Sequence, residues 1–344
     1  MKNGTLFVNN APSSYLEIEM NNKPLCYVKR NELPEIFPGV PSFMGLPTAK
    51  TAEDIKQYDA AVLGVPWEGP LTWGKFSGCE MCTKTIRDAS LRYGGYLPEY
   101  GYDLFDYISA CDCGDTPVVP GDIEATYTNI HKRIKDIVDN GVIPVTFGGD
   151  HSISVPLINA LAEKYKGRLG ILHLDAHMDN MVSYGDEKFA RCSPFYRLYE
   201  NPNIDPTKIV HAGIRGPRNN PAQIKNAQDV GATVITGYEI RTKGIDHVIA
   251  RSLDVIKTDT DAVYVSVCSD ALDVAFNPAG APDMCGMTSF ELSKLLYETA
   301  KAGVNGFDMV EIYPMGAGAE ISSHVASWMA IYLMSGIAAN KAGL

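Results

Sequence analysis

The sequence lacks the features of several large classes of protein. It has no continuous apolar run near the ~18 residues that a membrane-spanning helix needs. Its first residues, Met1 to Thr5, lack the apolar core of a secretory signal. No Walker loop is present and no G-x-G-x-x-G segment follows a predicted strand, which argues against a nucleotide-binding protein. We therefore predict a cytoplasmic protein with no membrane partner.

Positive charge is also scarce, because 30 Lys and Arg residues stand against 41 Asp and Glu residues, a formal net charge of −11. This balance disfavours a nucleic acid as a partner and is compatible with a cationic substrate. The eight cysteines are predicted to be reduced thiols. Their two close pairs, Cys79/Cys82 and Cys111/Cys113, are poor candidates for a zinc ribbon.

Strand-like and helix-like segments alternate through most of the chain. The predicted strands are 59–66, 142–147, 169–174, 208–214, 232–236, 262–267 and 306–312. The predicted helices are 81–92, 122–140, 155–166, 219–229, 245–257, 288–302 and 321–338. Such alternation predicts a parallel sheet with helices on both faces. We therefore predict an α/β fold, a single-domain three-layer sandwich over residues 51–344, preceded by a Pro- and Asn-rich N-terminal arm over residues 1–50.

The apolar run from Leu169 to Leu174 is the most informative of these strands, because it ends abruptly in Asp175, His177 and Asp179. Alternate residues of an extended chain share a face, so the three side chains can converge on one point just past the strand. Two carboxylates and an imidazole form a good half-site for a divalent metal. Ligands of parallel sheets lie beyond the carboxyl ends of the strands. The predicted site is therefore at this end of the sheet.

Three motifs together carry a resemblance to a known family. Gly-Gly-Asp-His-Ser occupies 148–152, Asp-Ala-His-x-Asp occupies 175–179, and a Ser-x-x-x-Asp-x-x-Asp strand end occupies 266–273. In this combination the chain resembles the ureohydrolase family of arginases and agmatinases over roughly residues 59–340. The resemblance implies an arginase-like sheet, a guanidino-type small-molecule substrate and two divalent ions. Metal ions suit this chemistry because they lower the pKa of water for hydrolysis.

The resemblance also implies roles for individual residues. The implied ligands are His151, Asp175 and Asp179 for one ion and Asp175, His177 and Asp270 for the other, with Mn²⁺ or Ni²⁺ as the metal. Glu311 is implied to pair with the guanidinium of the substrate. Asp150 is predicted to orient its turn. The candidates for the catalytic site are Asp150, Glu311 and Arg191. His151 and His177 could instead be structural, and His173 is predicted to lie in the core.

Two positions depart from the family pattern. Cys268 stands where the family has an aspartate that bridges both ions, and Arg191 stands where it commonly has a histidine. A thiolate offers one soft sulfur in place of two hard oxygens, so Mn²⁺ should bind poorly. Arginine stays protonated and would repel a guanidinium ligand. Cys268 is either a ligand of a nickel-type site or a small buried residue. Arg191 is either an internal cation paired with Glu311 or Asp179, or a side chain that reaches a neighbouring subunit.

We therefore expect this chain to hold one divalent ion or none, and two functions remain open. The first is a subunit of a ureohydrolase-type hydrolase of guanidino or biguanide compounds that supports an intact paralogous subunit. In this respect the sequence resembles the degenerate chain of heteromeric ureohydrolases of the metformin hydrolase type. The second is a hydrolase of agmatinase or guanidinase type that is active by itself through an unusual, nickel-type site. The assembly is expected to be a trimer or a hexamer, built either from copies of this chain alone or from this chain and a second one.

Overall fold

The apolar runs of the sequence form strands in a computed structural model, which describes residues 41–69, 77–315 and 318–344. The strands are β1 (Ala60–Gly64), β2 (Tyr96–Leu97), β3 (Tyr102–Asp103), β4 (Ala110–Asp115), β5 (Ile143–Phe147), β6 (Leu169–Leu174), β7 (Ile209–Ile214), β8 (Thr233–Thr236), β9 (Ala262–Cys268) and β10 (Gly306–Val310). Each strand predicted from the sequence is present, with ends that differ by two residues at most. Residues 1–40 of the predicted N-terminal arm lie outside the described ranges.

The amphipathic segments form helices, and several begin at a capping side chain. The helices are α1 (Ala52–Ile55), α2 (Cys82–Ser90), α3 (Ile123–Val138), α4 (Ser154–Tyr165), α5 (Pro194–Tyr199), α6 (Pro221–Val230), α7 (Gly237–Lys243), α8 (Ile245–Lys257), α9 (Ser289–Lys301) and α10 (Ala319–Ala342). Asp122 caps α3 and Thr288 caps α9, in each case by accepting a hydrogen bond from a backbone N–H that has no partner within the helix. The short helices α1, α5 and α7 were not predicted, because so few residues show no clear period.

Eight strands form one parallel sheet in the order β4-β1-β5-β10-β9-β6-β7-β8, while β2 and β3 pair separately. The four strands that end in the sequence motifs, β5, β10, β9 and β6, are consecutive neighbours in this order although they are far apart in the chain. Val310 pairs with Cys268, and Val267 pairs with Leu174, so the strands end at nearly the same level. The topology therefore brings the four motif-bearing ends to one edge of the sheet.

Helices cover both faces of this sheet, which confirms the predicted three-layer α/β sandwich. One apolar core lies between the sheet and α2, α8, α9 and α10, and a second lies between the sheet and α3, α4, α5 and α6. Strand β6 contributes Leu172 and Leu174 to the first core and Leu169 and Ile171 to the second. Because both of its faces are buried, β6 has a continuous apolar sequence instead of an alternating one.

Helix α10 is long and apolar enough, by length and composition alone, to cross a membrane. However, 78% of its most apolar window is buried inside the protein, as in the core helix of many globular proteins. It packs mainly against α9 and α2. The sequence predicted this helix over 321–338, but the argument from continuous apolar runs did not identify it as a candidate membrane span, because serine and histidine residues interrupt the run.

Strand β4 was not predicted, because its sequence, Ala-Cys-Asp-Cys-Gly-Asp, has few large apolar residues. Its residue Asp112 is buried and accepts two hydrogen bonds from Arg87 of α2, at 2.8 and 3.0 Å, and one from the Phe43 N–H at 2.6 Å. An arginine on the neighbouring helix thus compensates a charge inside a strand. Cys111 and Cys113 of β4 are buried, and the seven cysteines that the structure describes are free thiols.

Candidate functional site

Residues that follow the carboxyl ends of β6, β9 and β10 line an open cavity of about 320 Å³. Its lining includes six of the residues singled out in the sequence, namely His177, Asp179, Arg191, Cys268, Asp270 and Glu311. The other three, Asp150, His151 and Asp175, are fully buried next to it. The fold therefore gathers all nine predicted site residues in one region. Their individual roles stay predictions.

His177 joins two carboxylates at the wall of this cavity. Its Nδ1 lies 3.1 Å from Asp270 Oδ2 and 3.4 Å from Asp175 Oδ1. The other ring nitrogen, Nε2, lies 3.3 Å from Asp283 Oδ2 but is not aligned for a hydrogen bond. Backbone N–H groups fix both carboxylates, since Asp175 accepts from His177 at 2.6 Å and Asp270 accepts from Ala176 at 3.0 Å. The first cluster is thus one imidazole and two positioned carboxylates.

His151 forms a second cluster on the other side of Asp175. Its Nδ1 lies 2.9 Å from Asp179 Oδ2 and 3.0 Å from Asp175 Oδ2, and its Nε2 lies 3.1 Å from Ser266 Oγ. The ligand atoms of His151, Asp175 and Cys268 lie within 4.8 Å of one another. Asp179 has a left-handed backbone conformation, with φ of 42°. Such conformations cost about 1–3 kcal/mol and are often found at functional sites. Asp175 therefore belongs to both clusters.

The two clusters fit a divalent ion unequally. The ligand atoms of the first cluster, Asp175, His177 and Asp270, also lie within 4.8 Å of one another, and imidazole with carboxylate oxygens suits ions such as Mn²⁺ and Ni²⁺. The second cluster keeps the carboxylate oxygens of Asp175 and Asp179 next to His151, but it also includes the sulfur of Cys268, which favours a softer ion than Mn²⁺. The residues of the first cluster therefore fit a hard divalent ion.

Arg191 occupies a carboxylate cage formed by Glu68, Asp150 and Glu311. Its Nη1 donates to Glu311 Oε2 at 2.9 Å, and its Nη2 donates to Glu68 Oε1 at 3.2 Å. The same Nη2 lies 3.6 Å from Asp150 Oδ2. Arg191 is only 4% exposed. The sequence left open whether Arg191 points into its own chain or toward a neighbouring subunit. In the structure it points inward and pairs with Glu311.

Residues 58–336 match the sequence profile of the arginase family. The chain belongs to the arginase family. Guanidinopropionase of Pseudomonas aeruginosa is 31% identical over 285 residues, which cover 82% of this chain and 86% of that protein. Among solved structures, proclavaminate amidino hydrolase of Streptomyces clavuligerus has a TM-score of 0.79 at 27% identity, over 89% of this chain and 100% of that one. A Trypanosoma cruzi formiminoglutamase with Mn²⁺ has a TM-score of 0.78 at 21% identity, over 87% of this chain and 99% of that one, which shows the shared fold.

Protons compete with a metal at this arginase-family site, because ligands bind metal in their deprotonated forms. Burial alone would lower the pKa of His151, but hydrogen bonds to Asp175 and Asp179 outweigh it and hold the pKa well above its ordinary value. Burial would also lower the pKa of His177, but its carboxylate neighbours raise this pKa, and the charge of Asp270 contributes most. Burial, with the charge of Asp175, raises the pKa of Asp179 to about 7. The neighbouring carboxylates therefore favour the protonated forms of both imidazoles when no metal is bound.

We predict that the affinity of the chain for Ni²⁺ rises with pH between about pH 6 and 8, by up to tenfold per pH unit for each proton released. The sign follows from the raised pKa values of His151 and His177, because protons block these ligands most strongly at low pH. Calorimetric titration in two buffers of different ionisation enthalpy measures the protons released per ion. A His177→Ala variant should release fewer protons. An affinity that stays constant over this range would contradict the prediction.

The structure also adds residues that the sequence reasoning missed. Glu68 follows strand β1, so the rule that ligands lie beyond strand ends could have indicated it. Asp283 faces His177 from a long loop after β9, and no pattern in the sequence indicated that it belongs to the site. His173 is fully buried, in agreement with its predicted core position, but its Nε2 also lies 3.0 Å from Asp175 Oδ2. A buried histidine thus helps to position the carboxylate that both clusters share.

Proposed function

We propose that this chain is a subunit of a ureohydrolase-type hydrolase that cleaves C–N bonds of guanidino or biguanide compounds, with an impaired metal site of its own. It would support a paralogous subunit with an intact Mn²⁺ or Ni²⁺ site, in a cytoplasmic trimer or hexamer. Family membership supports the reaction class, as do relatives named as a guanidinopropionase and an amidino hydrolase.

The observation that carries the proposal is Cys268 in one cluster with His151 and Asp175. A carboxylate at this position would offer two hard oxygens, one toward each cluster. The thiol of Cys268 offers a single sulfur atom, which is a poor ligand for Mn²⁺ and cannot present a separate atom to each of two ions. Two equivalent hard ions are therefore not expected in this chain.

The other residues would still support part of the chemistry. A bound divalent ion supplies a water of lowered pKa for hydrolysis near neutral pH, and Asp175, His177 and Asp270 would hold that ion. In an intact site a carboxylate such as Glu311 would orient a guanidino group by accepting its N–H donors. In this chain the Glu311 carboxylate already accepts a hydrogen bond from Arg191. The proposal therefore assigns substrate turnover to the partner subunit.

A second candidate function is that of a guanidino-compound hydrolase that is active by itself through a nickel site. One observation favours it, because the cluster of Asp175, His177 and Asp270 keeps an imidazole and two carboxylates in reach of one another. Ni²⁺ generally binds such sites more tightly than Mn²⁺ does. An ion held by this cluster alone would then suffice for hydrolysis.

Purification of the chain from its native host, followed by metal analysis of each chain in the complex, tests the proposal. We expect a second arginase-family chain to co-purify, with more metal in that chain than in this one. Expressed alone, this chain is expected to leave agmatine, guanidine and biguanides unchanged. Two ions in this chain, or turnover by the chain alone, would overturn the proposal and favour the second candidate.

A further inference from the structure

A series of three side chains leads from Asp175 to helix α5. His173 Nε2 lies 3.0 Å from Asp175 Oδ2, and His173 Nδ1 lies 2.8 Å from His211 Nδ1. The other ring nitrogen of His211, Nε2, lies 2.6 Å from the hydroxyl oxygen of Tyr199. Both histidines are fully buried, whereas Tyr199 is half-buried at the end of α5. We call Tyr199, His211 and His173 the histidine series. It connects the carboxylate that both clusters share to a residue that lies in neither of them.

The fold places the members of the histidine series next to one another. His173 of β6 and His211 of β7 are register partners in parallel strands, so their side chains project from the same face of the sheet. Phe195 and Tyr199 are four residues apart in α5 and share one face of that helix. The Phe195 ring stacks on His173 with 3.8 Å between ring centroids and meets His211 edge-on at 5.1 Å. Packing therefore fixes the planes of both imidazoles and excludes water from them.

Asn180 indicates the direction of these hydrogen bonds. Its Nδ2 donates to the Gln223 carbonyl oxygen at 2.8 Å, which fixes the orientation of the amide, and also to the Tyr199 hydroxyl oxygen at 3.4 Å. Since the Tyr199 oxygen accepts from Asn180, its own hydrogen is available for Nε2 of His211. Burial and the neighbouring His173 ring hold the pKa of His211 well below its ordinary value, so this ring is neutral and can accept at Nε2. Tyr199 is therefore the donor in its contact with His211.

The other hydrogen positions follow in turn. A neutral imidazole that accepts at one nitrogen donates from the other, so His211 donates from its Nδ1 to Nδ1 of His173. By the same rule His173 donates from Nε2 to Asp175 Oδ2. All three hydrogen bonds thus point toward Asp175, and hydrogen bonds in series strengthen one another. The Oδ2 atom that they reach also lies 3.0 Å from Nδ1 of His151, in the second cluster.

We infer that Tyr199 and His211 are positioning residues of the candidate metal site, and that they act through His173 on the orientation of Asp175. Hydrogen-bond partners of a metal-binding carboxylate hold it in place and contribute to the affinity for the ion. The inference goes beyond the proposed function, because it concerns how the site is held in shape and not which subunit turns over substrate.

Nitrogen-15 NMR of the full-length, metal-free protein labelled at histidine tests the direction of the series, because it distinguishes ring nitrogens that carry hydrogen from those that do not. In the wild type we expect hydrogen on Nε2 of His173 and on Nδ1 of His211. Tyr199→Phe removes the first donor, so the signal of His211 Nε2 should shift toward that of a nitrogen that accepts no hydrogen bond. His211→Asn assigns the His211 signals by their absence.

Tyr102→Phe is the matched control for these spectra. It removes a hydroxyl that donates to the Ser335 carbonyl oxygen at 2.7 Å, in the packing of the first core, and it should leave both histidine rings unchanged.

The affinity for Ni²⁺ tests the effect on the site. His211→Leu keeps an apolar side chain without a donor and should weaken Ni²⁺ binding by about 10- to 100-fold, the usual result of losing such a partner. His211→Asn offers an amide N–H near the place of Nδ1 and should restore most of this loss. Calorimetric titration of the metal-free protein measures the affinities. If His211→Leu does not fold, Tyr199→Phe takes its place, with an expected loss of about two- to tenfold.

Three results would overturn the inference. They are the opposite hydrogen positions in the wild type, a Tyr199→Phe spectrum that changes no more than that of Tyr102→Phe, and a His211→Asn variant that binds Ni²⁺ no better than His211→Leu. The spectra need no metal, so they decide the inference even if the wild type binds no ion. A wild type that binds no Ni²⁺ would instead argue against the nickel site of the second candidate function.

Discussion

Replacing Cys268 with aspartate and Arg191 with histidine in the same chain is expected to raise its Mn²⁺ content from at most about one ion to about two. The aspartate adds two hard oxygens next to His151 and Asp175, where the wild type has one sulfur. The histidine removes a permanent positive charge from the cavity that borders both clusters. Elemental analysis after dialysis against Mn²⁺ measures the ions per chain.

The single substitutions separate the two effects. Cys268→Asp alone should recover most of the added Mn²⁺, because it changes a ligand directly, whereas Arg191→His alone should recover little. Cys268→Ser is the matched control, since it removes the sulfur without adding a carboxylate, and it should leave the Mn²⁺ content unchanged. If the double variant holds no more Mn²⁺ than the wild type, the cavity around the ligands has been remodelled as well, and restoring the ligands is not enough.

The sequence predicted the fold well because a doubly covered parallel sheet has a strong signal. Strand β6 is apolar along its whole length, and its predicted bounds, 169–174, are those observed. The long helix α3, predicted over 122–140 and observed over Ile123–Val138, has isoleucines that recur near helical spacing. Strand β4 gave no such signal, because the burial of Asp112 depends on Arg87 of a different element. Local patterns cannot indicate a strand that is stabilised by a distant partner.

The candidate site was predictable in its members but not in its contacts. Motif residues at four strand ends had to meet once the sheet order placed those strands side by side. The sequence could not tell whether Arg191 turns inward or outward, because this depends on Glu68, which lies 123 residues away in the chain. The link between His177 and Asp283 was likewise hidden. A loop without a repeating pattern gives no information about where its side chains point.

The pair of Arg87 and Asp112 gives the largest expected change in stability. Arg87→Ala should lower the free energy of unfolding by about 3–5 kcal/mol, the usual effect of leaving one partner of a buried ion pair uncompensated. The side chains are 4% and 1% exposed, and two hydrogen bonds join them in a fork. Arg87 also donates to Asp115 at 2.5 Å, so its loss weakens the attachment of α2 to the edge strand β4 at two points. Equilibrium unfolding in urea measures the change.

A matched exposed pair shows whether burial is the cause. Arg168 and Asp261 also form a forked pair, but their side chains are 54% and 51% exposed, so water screens their interaction and Arg168→Ala should have a much smaller effect. Arg87→Met keeps the apolar stem and most of the volume, so its loss of stability isolates the effect of the missing charge. If Arg87→Ala costs no more than Arg168→Ala, Asp112 is compensated by other groups. The attachment of α2 to β4 would then not depend on this ion pair.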